Sequence, residues 1–294
     1  MTKKKCPLCK STKLSLIWND KIRDGSNLYS KNKIKILLCG NCNLRYKSTL
    51  TIDQLDNIAF REKYNGEASI KKYLTFNKSR ELTKFKQLEG VINFKNKNIL
   101  ESNCGGGAIL SILRKKAKII AGIECPYFRD YLKKKKIKYF ENIYKVQNSK
   151  IKFDVILSLG DLEHQLDPIL FIRNFKKILN KRGIIIFRIP NFDNIYRFLL
   201  NKIFLKDDYR TSHNYYFNQK SLDFLFKKMN LKIIKKTGLH EYSINNLISY
   251  LKYQKRPKIN EIKILETMDD KNLQKNLEAS MTSTSLLYIL KKNV

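Results

Sequence analysis

Two Cys-x-x-Cys pairs, Cys6 with Cys9 and Cys39 with Cys42, open the chain. Each tight turn can aim two sulfurs at one ion, and two such turns complete the tetrahedral all-thiolate shell that zinc prefers. The expected result is a zinc ribbon over residues 1–50. Its Zn2+ would be structural, because four sulfurs leave no open coordination position for catalysis. Disulfides would conflict with a cytoplasmic setting. Cys104 and Cys125 stand apart from this set and suit small buried positions better than ligation. A second chemical signal is the run Ile99-Leu100-Glu101-Ser102-Asn103-Cys104-Gly105-Gly106-Gly107. Consecutive glycines let the backbone turn sharply and approach a ligand without Cβ interference. No Gly-Lys-Ser/Thr follows, and Leu110 stands where a dinucleotide fingerprint needs its third glycine, so a phosphate cradle is not expected. Glu124 lies 23 residues beyond Glu101 at the end of an apolar run. There a carboxylate can accept two hydrogen bonds from a ribose diol, which points to a nucleotide-like ligand.

The elements that must hold these residues follow from periodicity. Ile34 to Leu38 reads as a strand leading into the second cysteine pair, after a hairpin-like segment that starts at Trp18. Residues 51–95 are mostly helical and form a connecting layer, with Phe60, Tyr64, Tyr73 and Phe76 facing a core or a substrate. Short apolar strands then alternate with amphipathic helices: Asn98–Leu100, Ala108–Lys115, Ile119–Ile123, Tyr127–Lys134, Phe153–Leu157, Pro168–Leu179 and Gly183–Ile189. Such alternation implies an α/β fold with a parallel sheet covered on both faces and ligands at the carboxyl ends of the strands.

A length of 294 residues accommodates one full core and a small satellite. With 43% apolar residues, 11 Gly and 5 Pro, the composition excludes collagen-like and low-complexity classes. No apolar stretch approaches the roughly 18 residues of a membrane span, and the amino terminus has no apolar signal core. A cytoplasmic protein is expected. The net charge of +34 would ordinarily suggest nucleic acid. Yet only 12 of the 60 basic residues are Arg, the usual bidentate reader of phosphates and bases, and the lysines are dispersed, Lys133–Lys136 being the longest run. The charge is therefore read first as a solvated surface bias.

From Phe94 onward the sequence resembles the class I S-adenosylmethionine-dependent methyltransferases. The family's acidic residue and Gly-x-Gly-x-Gly loop are matched by Glu101, Asn103, Gly105 and Gly107, and its ribose-binding acid by Glu124. The most specific match is the fourth strand and loop, Phe153-Asp154-Val155-Ile156-Leu157-Ser158-Leu159-Gly160-Asp161-Leu162-Glu163-His164-Gln165-Leu166-Asp167-Pro168. Gly183 to Asn191 and the His213-Asn214-Tyr215-Tyr216-Phe217 segment also fit. The resemblance implies a Rossmann-like sheet over residues 96–294. It ends in an antiparallel pair, Leu231–Lys235 and Ser285–Lys291, interrupted by a helical insertion at about 242–281. It further implies S-adenosyl-L-methionine as cofactor, held by Glu101, Asn103, Cys104, Gly105, Gly107, Glu124, Asn142, Ser158 and Asp161. Asn103 departs from the family glycine, but Asn best tolerates the positive φ such a turn needs. Asn142, with Glu141, follows a third strand at Ile137–Phe140 and would mark the adenine pocket.

Because the sulfonium already carries its leaving group, the protein mainly aligns the nucleophile and excludes water. A base near neutral pKa is needed where the acceptor carries a proton. His164, with Glu163 beside it, lies on the fourth-strand loop, and His213 comes from a later loop that can close over the same cleft. All three are candidate catalytic residues, set against structural hydrogen bonding for the histidines and helix-start stabilisation for Glu163. Tyr215, Tyr216 and Phe217 form a substrate wall or part of the core. A ribbon ahead of such a domain looks like sugar and surface-polysaccharide methyltransferases, so the acceptor is expected to be a small molecule such as a sugar nucleotide. The alternatives are an RNA methyltransferase docking through ribbon and lysines, and a noncatalytic zinc-containing interaction module.

Overall fold

The computed structural model describes residues 4–24, 28–51, 67–253 and 271–293. Strands β1 (Leu14–Asp20), β2 (Ile34–Cys39) and β3 (Arg45–Lys47) pair antiparallel, with Leu14 opposite Cys39. The strand expected at Ile34–Leu38 is thus present and runs into the second cysteine turn. Helix α1 (Glu67–Glu89) follows, burying Ile70, Phe85 and Leu88. Phe60 and Tyr64 lie outside the described residues, as do the side chains of Tyr73 and Phe76.

The alternating region runs β4 (Asn98–Ser102), α2 (Ala108–Leu113), β5 (Ile119–Ile123), α3 (Arg129–Lys134), β6 (Lys138–Phe140), α4 (Ile143–Asn148), β7 (Phe153–Leu159), α5 (Pro168–Ile178) and β8 (Leu179–Pro190). After α6 (Ile195–Asp208), β9 (Tyr215–Tyr216) and α7 (Gln219–Lys228) come β10 (Leu231–Leu239), α8 (Ile244–Tyr253), α9 (Lys271–Ala279) and β11 (Ser285–Lys292). The large sheet has the order β10-β11-β8-β7-β4-β5-β6, parallel from β8 to β6 and antiparallel at β11 and β10. This is the α/β Rossmann-like architecture the alternation implies. Strands β4, β5 and β7 have apolar, buried centres, with Ile99, Leu100, Ala121, Ile156 and Leu157 out of water, as in a parallel sheet covered on both faces. The chain proceeds from β4 outward to β6, then returns to β7 on the other side. The crevice between the carboxyl ends of β4 and β7 is therefore a topological switch point, where ligands of such sheets bind.

Some boundaries differ from expectation. β8 starts at Leu179 rather than Gly183, and β10 continues past Lys235 to Leu239. Glycine is required at 238, where a Cβ would stand 2.8 Å from the Glu278 backbone of α9. Helices α8 and α9 lie within the stretch read as an insertion, whose residues 254–270 fall outside the described part.

The small sheet is completed from far along the chain. β9 pairs antiparallel with β3, Tyr46 opposite Tyr215 and Arg45 opposite Tyr216. Tyr215, Tyr216 and Phe217 are all buried and pack in apolar clusters, so they are core rather than an open substrate wall.

Candidate functional site

The glycine loop after β4 is built from alternating left-handed residues. Asn103 (φ 55°), Gly105 (φ 53°) and Gly107 (φ 67°) take this conformation, and Asn103 does so where the other two positions use glycine. Gly107 is also the amino cap of α2. Gly122 on β5 meets the loop closely: a Cβ there would lie 2.4 Å from Cys104 Sγ, and Cys104 is buried. Gly106 is covered from above, since a Cβ would lie 2.5 Å from Leu74 Cδ2 of α1.

Two carboxylates flank this loop. Glu101, at the end of β4, is 5% exposed, and its Oε2 has no hydrogen-bond partner among the described residues. Burial pushes its pKa well above the ordinary carboxylate value; the Glu81 carboxylate of α1 adds to this and the Lys84 ammonium opposes it. Lys84 Nζ donates to Glu81 Oε1 at 2.8 Å, so α1 sets an ion pair near Glu101. Glu124 is also buried. Its Oε2 accepts from the Gly105 amide at 2.6 Å and its Oε1 from the Cys125 amide at 2.9 Å. Glu124 thus ties β5 to the glycine loop. Tyr139 on β6 has a buried hydroxyl without a hydrogen-bond partner among the described residues. Burial, with Glu141 next, pushes its pKa up to about 12.

Across the switch point, Asp161 connects the strands. Its Oδ2 accepts from Ser102 Oγ at 2.6 Å, and its Oδ1 from Asn103 Nδ2 at 3.2 Å and Gln165 Nε2 at 2.8 Å. This anchors the fourth-strand loop to the glycine loop. Ser158, at the end of β7, is buried, and its hydroxyl lacks a partner among the described residues. Asn142 is placed differently from the pocket role expected of it. It is exposed, and its Oδ1 accepts from the Lys145 amide at 3.0 Å, capping α4.

Glu163, His164 and His213 come together, at 2%, 6% and 5% exposure, and one ligand-type atom from each lies within 4.8 Å of the others. His164 Nε2 is 3.9 Å from Glu163 Oε1, while His164 Nδ1 is 2.9 Å from the Ser212 carbonyl oxygen. The carbonyl can only accept, so Nδ1 carries the proton in the neutral ring. The two imidazoles meet edge to face with centroids 4.8 Å apart. Burial holds the His213 pKa well below the ordinary imidazole value, with His164, Arg210 and Lys47 contributing in the same direction. Its ring is therefore neutral near pH 7.

Several residues of this region were not singled out for a role from sequence. Asn214 is fully buried; its amide donates to the Glu163 carbonyl at 2.9 Å, and its Nδ2 donates to the carbonyls of His164 and Thr51, each at 2.8 Å. Its Oδ1 accepts from the Thr51 amide at 3.0 Å. Its only sequence signal is a polar residue between His213 and an aromatic run. Asn214→Ala removes this clamp and is expected to destabilise the protein by about 2–4 kcal/mol. Thermal denaturation checks this as a fall of roughly 4–10 °C in Tm; a fall under about 1 °C would contradict it. Arg188, buried on β8, donates to Glu241 and gave no periodicity signal among strand residues. The α1 residues Leu74, Glu81 and Lys84 belong to a helix whose docking partner no local pattern reveals.

At the amino terminus the four cysteines converge as expected. Cys6 Sγ is 3.6 Å from Cys42 Sγ and Cys9 Sγ is 3.4 Å from Cys39 Sγ; all four sulfurs lie within 4.8 Å of one another. Sulfurs bonded to one Zn2+ at about 2.3 Å stand ~3.8 Å apart, so this donor set fits a tetrahedral zinc shell.

A family model described as a methyltransferase domain matches residues 73–236. Among curated proteins, the tRNA U34 carboxymethyltransferase of Campylobacter fetus subsp. fetus is 32% identical over 109 residues, 34% of this chain and 39% of that protein. The chain thus spans about two fifths of the curated relative it matches. A solved complex between the Haloferax volcanii Trm112 methyltransferase activator and a methyltransferase is 12% identical, with TM-score 0.53, covering 83% of this chain and 100% of that one. An S-adenosylmethionine-dependent methyltransferase of Thermotoga maritima is 16% identical with TM-score 0.49, covering 76% of this chain and 94% of that one.

Proposed function

Since the chain belongs to the methyltransferase domain family, an enzyme class that uses S-adenosyl-L-methionine, we propose that the β4–β7 crevice binds this cofactor and presents its methyl group to an acceptor beside Glu163, His164 and His213. The observation that carries this reading is Glu101: a buried carboxylate oxygen without a partner, beside a main-chain loop in three left-handed steps. An amino-acid ammonium laid against the loop would pair with that oxygen. Glu124, at the end of β5, faces the ribose diol, with Cys104, Gly105 and Gly107 forming the floor. Asp161, Ser102 and Asn103 hold the two loops in register, and Ser158 stands at the mouth of β7. Asn142 retains only its amide nitrogen for the adenine.

Bound cofactor supplies an activated methyl group, so the protein has little covalent chemistry to perform. His164, fixed through Nδ1 on the Ser212 carbonyl, is oriented to take or hold the acceptor's proton through Nε2. Glu163 and His213 orient it. Accordingly, His164→Ala is expected to lower turnover about a hundredfold or more. Adenosylhomocysteine affinity should stay within roughly threefold, as the residue sits on the acceptor side. Unchanged turnover in a single-turnover assay would remove His164 from the catalytic set.

In this reading residues 1–50 are a zinc ribbon with Cys6, Cys9, Cys39 and Cys42 as ligands. Residues 51–95 connect it to the methyltransferase domain at 96–294. The zinc is structural, holding the small sheet against β9. Family membership favours an enzyme over a noncatalytic interaction module.

The acceptor is a small molecule in the leading reading, although its sugar-nucleotide form has no counterpart among the relatives described. An RNA acceptor is the second reading. It is favoured by the curated tRNA-modifying relative and by a basic groove of about 540 Å³ lined by Arg173, Lys176, Lys177, Lys228 and Lys292. That groove lies near the start of β8, where Lys292 Nζ meets the Leu179 carbonyl, away from the carboxyl ends of the strands. Labelled methyl donor incubated with small-molecule and RNA fractions of a cell extract decides between the two. RNA binding that falls steeply with log salt would support the second. No helix among the described residues is long and apolar enough to cross a membrane.

A further inference from the structure

The geometry points to a site for one first-row divalent transition-metal ion at Glu163, His164 and His213, separate from the four cysteines and open to an oxygen ligand from the methyl acceptor. The donors come from two loops far apart in sequence, one after β7 and one before β9, and their ligand-type atoms lie within 4.8 Å of one another. Ligands bonded to a common ion at about 2.1 Å stand roughly 3.0–4.2 Å apart. The 3.9 Å between His164 Nε2 and Glu163 Oε1 already fits, and the widest separation, at most 4.8 Å, exceeds this span by about 0.6 Å at most.

Two independent features favour a cation here. Glu163 is 2% exposed, and its Oε2 has no hydrogen-bond partner among the described residues. A buried carboxylate oxygen left without a donor is costly, and an ion relieves that cost. His164 also has the arrangement typical of metal-bound imidazoles, one ring nitrogen on a backbone carbonyl and the other turned toward the remaining donors. The backbone of the site is fixed as well, since Asn214 bonds the carbonyls of both Glu163 and His164.

The donor set identifies the class of ion. Two imidazoles and one carboxylate suit Zn2+, Fe2+, Co2+, Ni2+ or Mn2+ and disfavour Ca2+ and Mg2+, which take mostly oxygen. Three protein ligands leave positions for an outside ligand, unlike the closed thiolate shell. The acceptor role, though not the ion's binding, rests on the methyl-transfer reading. With the ion bound, His164 Nε2 is a ligand and no longer a base, so the proton goes elsewhere: an acceptor hydroxyl bound to the ion would lose it to water at lower pH. Its oxygen would then bond to the methyl carbon as the sulfur–methyl bond breaks, that electron pair remaining on sulfur as a neutral thioether.

The test is a cobalt(II) titration of the full chain carrying zinc in its four-cysteine site, followed by visible absorption and calorimetry. The expected result is one Co2+ per chain beyond the zinc, with weak d–d bands and no thiolate-to-metal charge transfer. Glu163→Gln, a near-isosteric change, and His213→Gln should each weaken this binding at least ~10-fold. Absence of the extra equivalent, a charge-transfer spectrum, or undiminished affinity in both variants would overturn the site. Adenosylhomocysteine calorimetry on the same samples confirms folding and separates the two readings. Cofactor binding without cobalt removes only the metal site, and cobalt binding without the cofactor removes only the methyltransferase crevice.

Discussion

Glu101→Gln is expected to raise the melting temperature of the ligand-free protein at neutral pH while weakening adenosylhomocysteine binding about a hundredfold. The two effects have opposite signs because one carboxyl group serves both. Burial drives its pKa well up, the Glu81 carboxylate adding to the effect, so the folded state holds a proton that the unfolded chain releases. A raised folded-state pKa gives stability that is fully present below the unfolded value of about 4.3. That contribution is lost as pH rises through the folded value. The isosteric amide has no proton to lose, so its advantage should grow with rising pH and vanish in acid. With a cofactor ammonium present, the balance reverses. The charged pair forms in a buried site, and removing one partner of such a pair costs about 2–5 kcal/mol; even 2.7 kcal/mol is roughly a hundredfold in affinity. Melting curves from about pH 4, near the unfolded carboxylate value, up to about pH 8, together with calorimetry, test both halves. A variant no more stable than the parent at pH 7, or one that binds as tightly, would remove Glu101 from the cofactor site.

Losing one thiolate should have consequences far from the cysteines. Cys39→Ser is expected to lower bound zinc and melt the small sheet, because structural zinc supplies about 10–16 kcal/mol of apparent binding energy and three short strands cannot replace it. Adenosylhomocysteine affinity should remain within roughly threefold, since the glycine loop is tied to Glu124 and Asp161 and not to the zinc cysteines. Methyl transfer should nevertheless fall about a hundredfold, the cost of a misplacement near 1 Å. The link is structural: β3 carries β9, and Thr51, just beyond β3, is clamped to the same Asn214 side chain that holds the His164 carbonyl. Equal zinc content in mutant and parent would refute the ribbon. Equal loss of cofactor affinity would refute the separation of the two sites.

The sequence made the alternating sheet legible because short continuous apolar strands and helices with period 3.6 announce themselves locally, as Ile119–Ile123 and Pro168–Ile178 do. The glycine loop was legible for a related reason: the left-handed steps at 103, 105 and 107 restrict which residues can stand there. What stayed hidden was non-local. Nothing in Tyr215-Tyr216 shows that two residues complete a sheet begun near Leu14, and nothing in α1 shows that Leu74 will cover Gly106. Asn142 could not be assigned locally, because a polar residue after a strand serves equally as helix cap or ligand contact; its side-chain oxygen caps α4.

The pairing of β3 with β9 also imposes an order on biogenesis. The cysteine turns leave the ribosome first, yet the outer edge of β3 finds its partner only when Tyr215 and Tyr216 have emerged, some 170 residues later. At about 5–20 residues per second that interval is roughly ten to thirty seconds. Meanwhile Arg45–Lys47 presents an unpaired ladder to any neighbouring nascent chain. Three residues, two of them basic, make an edge too short and too charged to template pairing with a neighbouring chain.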